Sequence, residues 1–180
     1  MNQRRRNPEP LGIVLIHGAA VVMKGCALVF LGPSGAGKST ITKILQPFTP
    51  MIGDDRLYLI PQGNAWLVAN ATTNRALAGT LTKEEAYDLV GVPLGAVFKL
   101  YQDSETRVTP VDTIQTCRYL ASAFFEFFWS RNFEVQAQKS IFAQIADISR
   151  GTPGFDLHFD KSPRSAAEIH QTIDTNLATK

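Results

Sequence analysis

Gly32-Pro33-Ser34-Gly35-Ala36-Gly37-Lys38-Ser39 satisfies, position by position, the pattern G-x-x-x-x-G-K-[ST]. The residue types meet the demands of phosphate chemistry. Glycines let a loop turn its backbone N–H groups inward around an anion, a lysine reaches the outer phosphates, and a serine hydroxyl ligates Mg²⁺. Ala27 to Leu31 ahead of it reads as a buried strand. Thr40 to Leu45 behind it reads as a helix whose positive end faces the same anion. Such a match arises by chance in roughly one per cent or less of chains this long. Gly32 through Thr40 is therefore read as binding a nucleoside triphosphate, ATP first, rather than as an incidental Gly-rich turn.

A phosphate cradle that works with Mg²⁺ needs an acidic oxygen donor nearby. Asp54-Asp55 is the only acidic pair placed soon after the P-loop helix. Neighbouring residues on an ideal strand point to opposite faces, so two carboxylates serving one site require a strand end or a bend, which Gly53 permits. One carboxylate would bind metal, while the other accepts a proton from an attacking hydroxyl. The plain alternative is a solvated surface pair. Arg56, Arg75 and Arg107 are each able to neutralise a transferring phosphate, and Arg56 leads only by adjacency. His17 taken alone is a histidine on an apolar strand, more often a core residue than a catalyst. His158 and His170 read as surface residues.

These groups need a scaffold. With 180 residues and 44% apolar composition, one domain with a real core is expected. A net charge of +2 does not advertise nucleic acid. Arg4-Arg5-Arg6 belongs to an expected disordered basic tail over 1–10, with the nucleotide-binding catalytic domain over 11–180. The arginines followed by Leu11 to Met23 imitate a secretion signal, but prolines, His17 and Lys24 interrupt the imitation. The richest apolar run, Tyr119 to Trp129, is too short to span a bilayer and carries Glu126. A cytoplasmic, non-membrane protein is expected, with Cys26 and Cys117 as buried reduced thiols.

Ile13–His17, Ala19–Met23 and Cys26–Leu31 read as strands, the last two joined by a tight turn at Lys24-Gly25. Leu57–Ile60 and Ala65–Ala69 flank a turn at 61–64. The capping-box spacing of Thr82 to Glu85 predicts a short helix to Leu89 or Val90. Gly91–Gly95 reads as a loop, Ala96–Tyr101 as a buried strand and Thr106–Val108 as another. From about Pro110, Ile114, Cys117, Leu120, Ala121, Phe124, Phe125 and Phe128 fall at three- and four-residue steps, the face of a helix. A second helix over 134–149 carries Ile141, Phe142, Ile145 and Ile148. Phe155, Leu157 and Phe159 alternate as a strand, and Ser162-Pro163 opens a helix striped by Ala166, Ile169, Ile173 and Leu177. The fold class is α/β, a mixed central sheet with flanking helices. The aromatic stretch 124–129 reads as core, or as an interface that leaves a homo-oligomer open.

His17-Gly18, the P-loop and Gly53-Asp54-Asp55 together resemble the catalytic core of HPr serine kinase/phosphorylase and, more widely, phosphoenolpyruvate carboxykinase. The likeness covers Ile13 to Ile60 well and the remainder more loosely. It implies a single-domain P-loop kinase core in which His17 matches the active-site histidine, Asp54 the base that deprotonates the acceptor serine, and Asp55 the metal ligand. The sequence departs from that family in Thr40, where an acidic residue commonly follows the serine. It also lacks the downstream segment associated with the reverse reaction and the N-terminal domain of the bacterial enzymes. A small HPr-kinase-related protein is the expectation.

The leading function is thus an ATP- and Mg²⁺-dependent kinase acting on a hydroxyl, favoured as a serine of a protein or peptide. Lys38 and the loop backbone would hold the phosphates, Ser39 and Asp55 the metal, and Asp54 would activate the hydroxyl, with positioning and charge neutralisation supplying most of the catalysis. A nucleotide-binding regulatory or assembly module is the alternative, and a small-molecule kinase the third option. A transporter-type ATPase is disfavoured by the absence of Leu-Ser-Gly-Gly, a GTPase by the absence of Asn-Lys-x-Asp.

Overall fold

β-branched and aromatic runs pair first with their neighbours in sequence. The computed structural model describes residues 12–71, 91–128 and 135–178. β2 (Ala19–Met23) and β3 (Cys26–Leu31) form a hairpin closed by Lys24 and Gly25, both at positive φ (51° and 78°). That pair of left-handed residues matches the right-handed twist of the flanking strands. The anticipated tight turn is there.

β1 (Val14–His17), β4 (Met51–Gly53), β5 (Arg56–Gln62), β6 (Ala65–Asn70), β7 (Val92–Gln102), β8 (Arg107–Val111) and β9 (Gly154–Phe159) complete a branched sheet of nine strands among the described residues. β7 is its spine. Its first residues pair antiparallel with β6, at the head of a β1-β5-β6 wing, while its later residues lie parallel between β3 and β9. Three parallel strands, β3, β7 and β9, therefore end side by side, where the loop after β3 begins.

Burial of β3 on both sides explains its unbroken apolar run. Ala27, Val29 and Leu31 face α2 (Thr113–Phe128) and α3 (Val135–Gly151), against Tyr119, Leu120, Phe124, Ile141, Ile145 and Ile148. Leu28 and Phe30 face α1 (Lys38–Leu45) and α4 (Ala166–Ala178), against Ile41, Ile44, Leu45, Ile169 and Ile173. The mixed sheet with helices on both faces agrees with the expected class. Leu120, with no solvent exposure, sits in the middle of the first layer. Leu120→Ala is expected to lower unfolding free energy by about 2–5 kcal/mol, read as a shift in urea midpoint at unchanged slope.

Several boundaries differ from the sequence reading, each for a tertiary reason. Gly91–Gly95 was expected as a loop, yet Val92–Gly95 belong to the 11-residue β7, because β6 and β3 both supply ladder partners there. Pro61 lies inside β5 rather than in a turn. β1 stops opposite Leu59, so Pro61 pairs only with Trp66 on β6 and its missing N–H interrupts no ladder on the other side. Pro110 likewise sits in β8, an edge strand paired only with β9. α2 starts after Asp112, whose carboxylate accepts from the Gln115 N–H at 2.7 Å. Ile114 is 66% exposed and Phe142 44% exposed, so both leave the core faces assigned to them. Cys26 and Cys117 are free thiols but only half-buried. Ser162 caps a short 3₁₀ turn, Pro163–Ser165, that leads into α4. The expected tail over 1–10, the helix over 82–90 and Arg75 lie outside the described residues. Among those described, no helix is long and apolar enough to cross a membrane.

Candidate active site

The loop after β3 is shaped by its glycines. Gly35 and Gly37 adopt φ of +82° and +107°, and a Cβ on Gly37 would meet Phe159 and Lys161 at 2.9 Å. Gly32 has no room either, since its Cβ would lie 2.6 Å from that of Ala36. The Ala36 N–H donates to the Pro33 carbonyl, and α1 begins at Lys38, two residues earlier than its apolar pattern suggests. Lys38 is 8% exposed, and its ammonium donates to the carbonyls of Gly32 (2.5 Å) and Pro33 (3.2 Å). Desolvation lowers its pKa below the ordinary lysine value. Glu126 acts in the opposite direction, Lys99 reinforces the lowering and Asp55 again opposes it.

Two strand pairings bring the acidic pair to this loop. β1 lies against β5 with His17 opposite Arg56, and the Gly18 N–H donates to the Asp55 carbonyl at 3.2 Å. β4 lies against β2 with Gly53 opposite Ala20. Asp54 and Asp55 therefore occupy a bend between two strands anchored on consecutive strands of the chain. Gly18 also needs its missing side chain: a Cβ would approach Leu31, the last residue before the loop, at 3.0 Å.

The result is an open cleft of about 390 Å³ lined by His17, Ser34, Gly35, Gly37, Lys38, Ser39, Thr40, Asp54, Asp55 and Lys161. Of the residues expected to bind nucleotide, Gly32, Pro33 and Ala36 build the loop behind that surface, and the others face the cleft. The donor set suits magnesium with a polyphosphate. A serine hydroxyl and two carboxylates are hard oxygen donors, and Mg²⁺ commonly takes one or two carboxylates and completes its shell with water and phosphate oxygens. Among the described residues no group of three or more His, Cys, Asp or Glu side chains is gathered tightly enough to hold a metal.

His17 stands between two carboxylates. Its Nδ1 is 2.5 Å from Glu126 Oε2, and its Nε2 is 3.6 Å from Asp55 Oδ1. A carboxylate oxygen accepts, so in the close contact with Glu126 it is Nδ1–H that donates, while the Nε2 edge faces Asp55 at 3.6 Å, beyond direct hydrogen-bonding distance. Glu126 was legible only as the one charge inside an apolar helical run; nothing in the spacing announced that α2 would carry it 109 positions back to His17. Glu126→Gln, which can donate as well as accept, is expected to weaken the Nδ1–H preference. Long-range ¹⁵N–¹H correlation spectra of the His17 ring report it directly.

Neither Arg56 nor Arg107 is among the residues that line the cleft. Arg56 Nε lies 3.5 Å from Asp55 Oδ2 at the exposed rim. Arg107 is engaged with Asp103 and His158, both at 2.8 Å, and His158 also stacks on Tyr101. His158 is thus part of a polar cluster rather than a bare surface residue, and His170 stacks on Phe48. Lys161, which carried no signal in the sequence, is the cation that the fold adds beside Lys38.

A family profile described as ScmC, SynChlorMet cassette protein ScmC, matches residues 5–174. The chain belongs to the ScmC family. Membership thus extends across both halves of the cleft, from His17 to Lys161. No curated protein matches the chain. Among solved structures, the Hpr(Ser) kinase/phosphatase from Coxiella burnetii is similar at a TM-score of 0.47 and 10% identity, over 92% of this chain and 97% of that one. That is a loose likeness of overall path, and the reading of the cleft rests on the cleft itself.

Proposed function

We propose that this protein is an ATP- and Mg²⁺-dependent phosphotransferase that phosphorylates a hydroxyl, with a serine of a protein or peptide as acceptor. The observation that carries the reading is the convergence of Asp54 and Asp55 on the same cleft as Lys38 and Ser39, across separate strands. A cradle alone binds nucleotide; a carboxylate pair beside its lysine end adds a metal donor and a proton acceptor.

In this reading backbone N–H groups of 34–39, other than that of Ala36 which donates to Pro33, and the Lys38 ammonium hold the phosphates. Ser39 and Asp55 would hold Mg²⁺, which supplies charge neutralisation on the phosphate oxygens. Asp54 takes the proton of the incoming hydroxyl, whose oxygen attacks the terminal phosphorus as the bond to the departing diphosphate breaks. His17, oriented by Glu126, presents its Nε2 edge to the cleft beside Asp55.

Incubation with γ-labelled ATP, Mg²⁺ and an extract of the source cells tests the proposal. A labelled acceptor whose phosphate is stable to acid and released by alkali, as phosphoserine is, supports it. Tight nucleotide binding with no labelled acceptor supports a regulatory or assembly module instead, and label confined to small molecules supports a small-molecule kinase.

A further inference from the structure

The parallel strands finish level with one another beside the loop. In the β7–β9 register Gln102 lies opposite Phe159, so Gln102 and Lys161 leave the sheet together. Both reach one atom, the Gly35 carbonyl: Gln102 Nε2 donates at 2.7 Å and Lys161 Nζ at 2.9 Å. The lysine stem crosses Gly37, where a Cβ would meet its Cε at 2.9 Å. Lys161 therefore lies across the cradle and lines the same cleft as Lys38, Ser39 and the two aspartates.

Anchoring the loop tip does not account for the charge. Gln102 already gives the Gly35 carbonyl a neutral donor at good distance. An ammonium has three N–H donors on a flexible stem, and a carbonyl engages one of them. The Gly35 carbonyl is a neutral acceptor, whereas a phosphate oxygen carries negative charge and adds ion–ion attraction to the hydrogen bond. An anion in the cradle therefore competes well with Gly35 for this group.

We infer that Lys161 is a second phosphate-binding cation, transferring from the Gly35 carbonyl to the outer phosphates of a nucleoside di- or triphosphate held by Lys38. The inference rests on the reading of 32–39 as a nucleotide cradle. It names Lys161 as the group filling the charge-neutralising role for which Arg56, Arg75 and Arg107 were candidates.

The test is calorimetric titration of the full chain with Mg·ATP, ADP and AMP, with no acceptor needed. Lys161→Met is expected to weaken ATP and ADP by about 10- to 100-fold, the loss of one charge-assisted contact, and AMP by much less. Lys161→Arg should retain most of the affinity. Gln102→Ala removes the neutral donor to the same carbonyl and should change ATP affinity by less than about threefold, within the range of a weak exposed hydrogen bond. Equal losses in Gln102→Ala and Lys161→Met would reduce Lys161 to a strut and overturn the inference. So would ATP affinity unchanged in Lys161→Met. Wild-type protein that binds no ATP would overturn the cradle reading along with it. As a measurement free of any variant, ATP should protect Lys161 from amine acylation followed by mass spectrometry, and undiminished acylation would also count against the assignment.

Discussion

Asp54→Asn is expected to lower phosphotransfer by about 10²- to 10⁴-fold, the usual worth of a positioned proton acceptor, while ATP affinity stays within about threefold of wild type. The separation follows from where Asp54 sits. It lines the cleft on the bend between β4 and β5, whereas Lys38 and the backbone proposed to hold phosphate lie in the loop after β3 and the first turn of α1. Asparagine has nearly the same volume and keeps a carbonyl oxygen, so the bend held by the Gly18-to-Asp55 and Ala20-to-Gly53 pairings has no reason to move. What disappears is the negative oxygen able to take a proton. Single-turnover transfer to a serine acceptor, set beside equilibrium ATP binding, reads the two effects independently. Transfer at the wild-type rate would remove Asp54 from the proposed role, and joint loss of binding would assign it to holding the metal–nucleotide complex.

Lys38→Met should do the reverse, cutting ATP affinity by about 100-fold through loss of its charge-assisted contacts without unfolding the protein. Lys38 is a buried cation, 8% exposed, whose desolvation already disfavours the charged form. Methionine keeps the length of the stem and removes that cost, at the expense of the donors to the Gly32 and Pro33 carbonyls. The opposing contributions leave thermal stability within about 1 kcal/mol of wild type, the net worth of a typical hydrogen bond. Nucleotide titration and a thermal melt of the same preparation check both halves. A variant that melts far lower would make Lys38 a structural strut of the loop, and one that binds ATP normally would remove the cradle from the account.

The two expectations differ in how far they could be read from the chain. The P-loop pattern was complete as a string because the chemistry proposed for it is local: its backbone N–H groups, lysine and serine come from consecutive residues, and the glycines that permit φ of +82° and +107° lie among them. The β2–β3 hairpin and the three apolar helical stripes were legible for the same reason, as turn chemistry and periodicity are short-range. Misassigned segments were those where distant partners override local preference. Val92–Gly95 became strand because β6 and β3 border it, and Pro61 and Pro110 were tolerated because one side of each carries no ladder.

Sequence alone determined the complete G-x-x-x-x-G-K-S string, the α/β pattern around it and the acidic pair that soon follows it. Tertiary structure alone decided that the pair turns into the cradle's cleft, because registers between β1 and β5 and between β2 and β4 cannot be summed from local patterns. It alone also set Glu126 against His17 and Lys161 across Gly35 and Gly37. Each of those contacts joins residues more than a hundred positions apart, and only the closing of the sheet and the docking of α2 put them within hydrogen-bonding range.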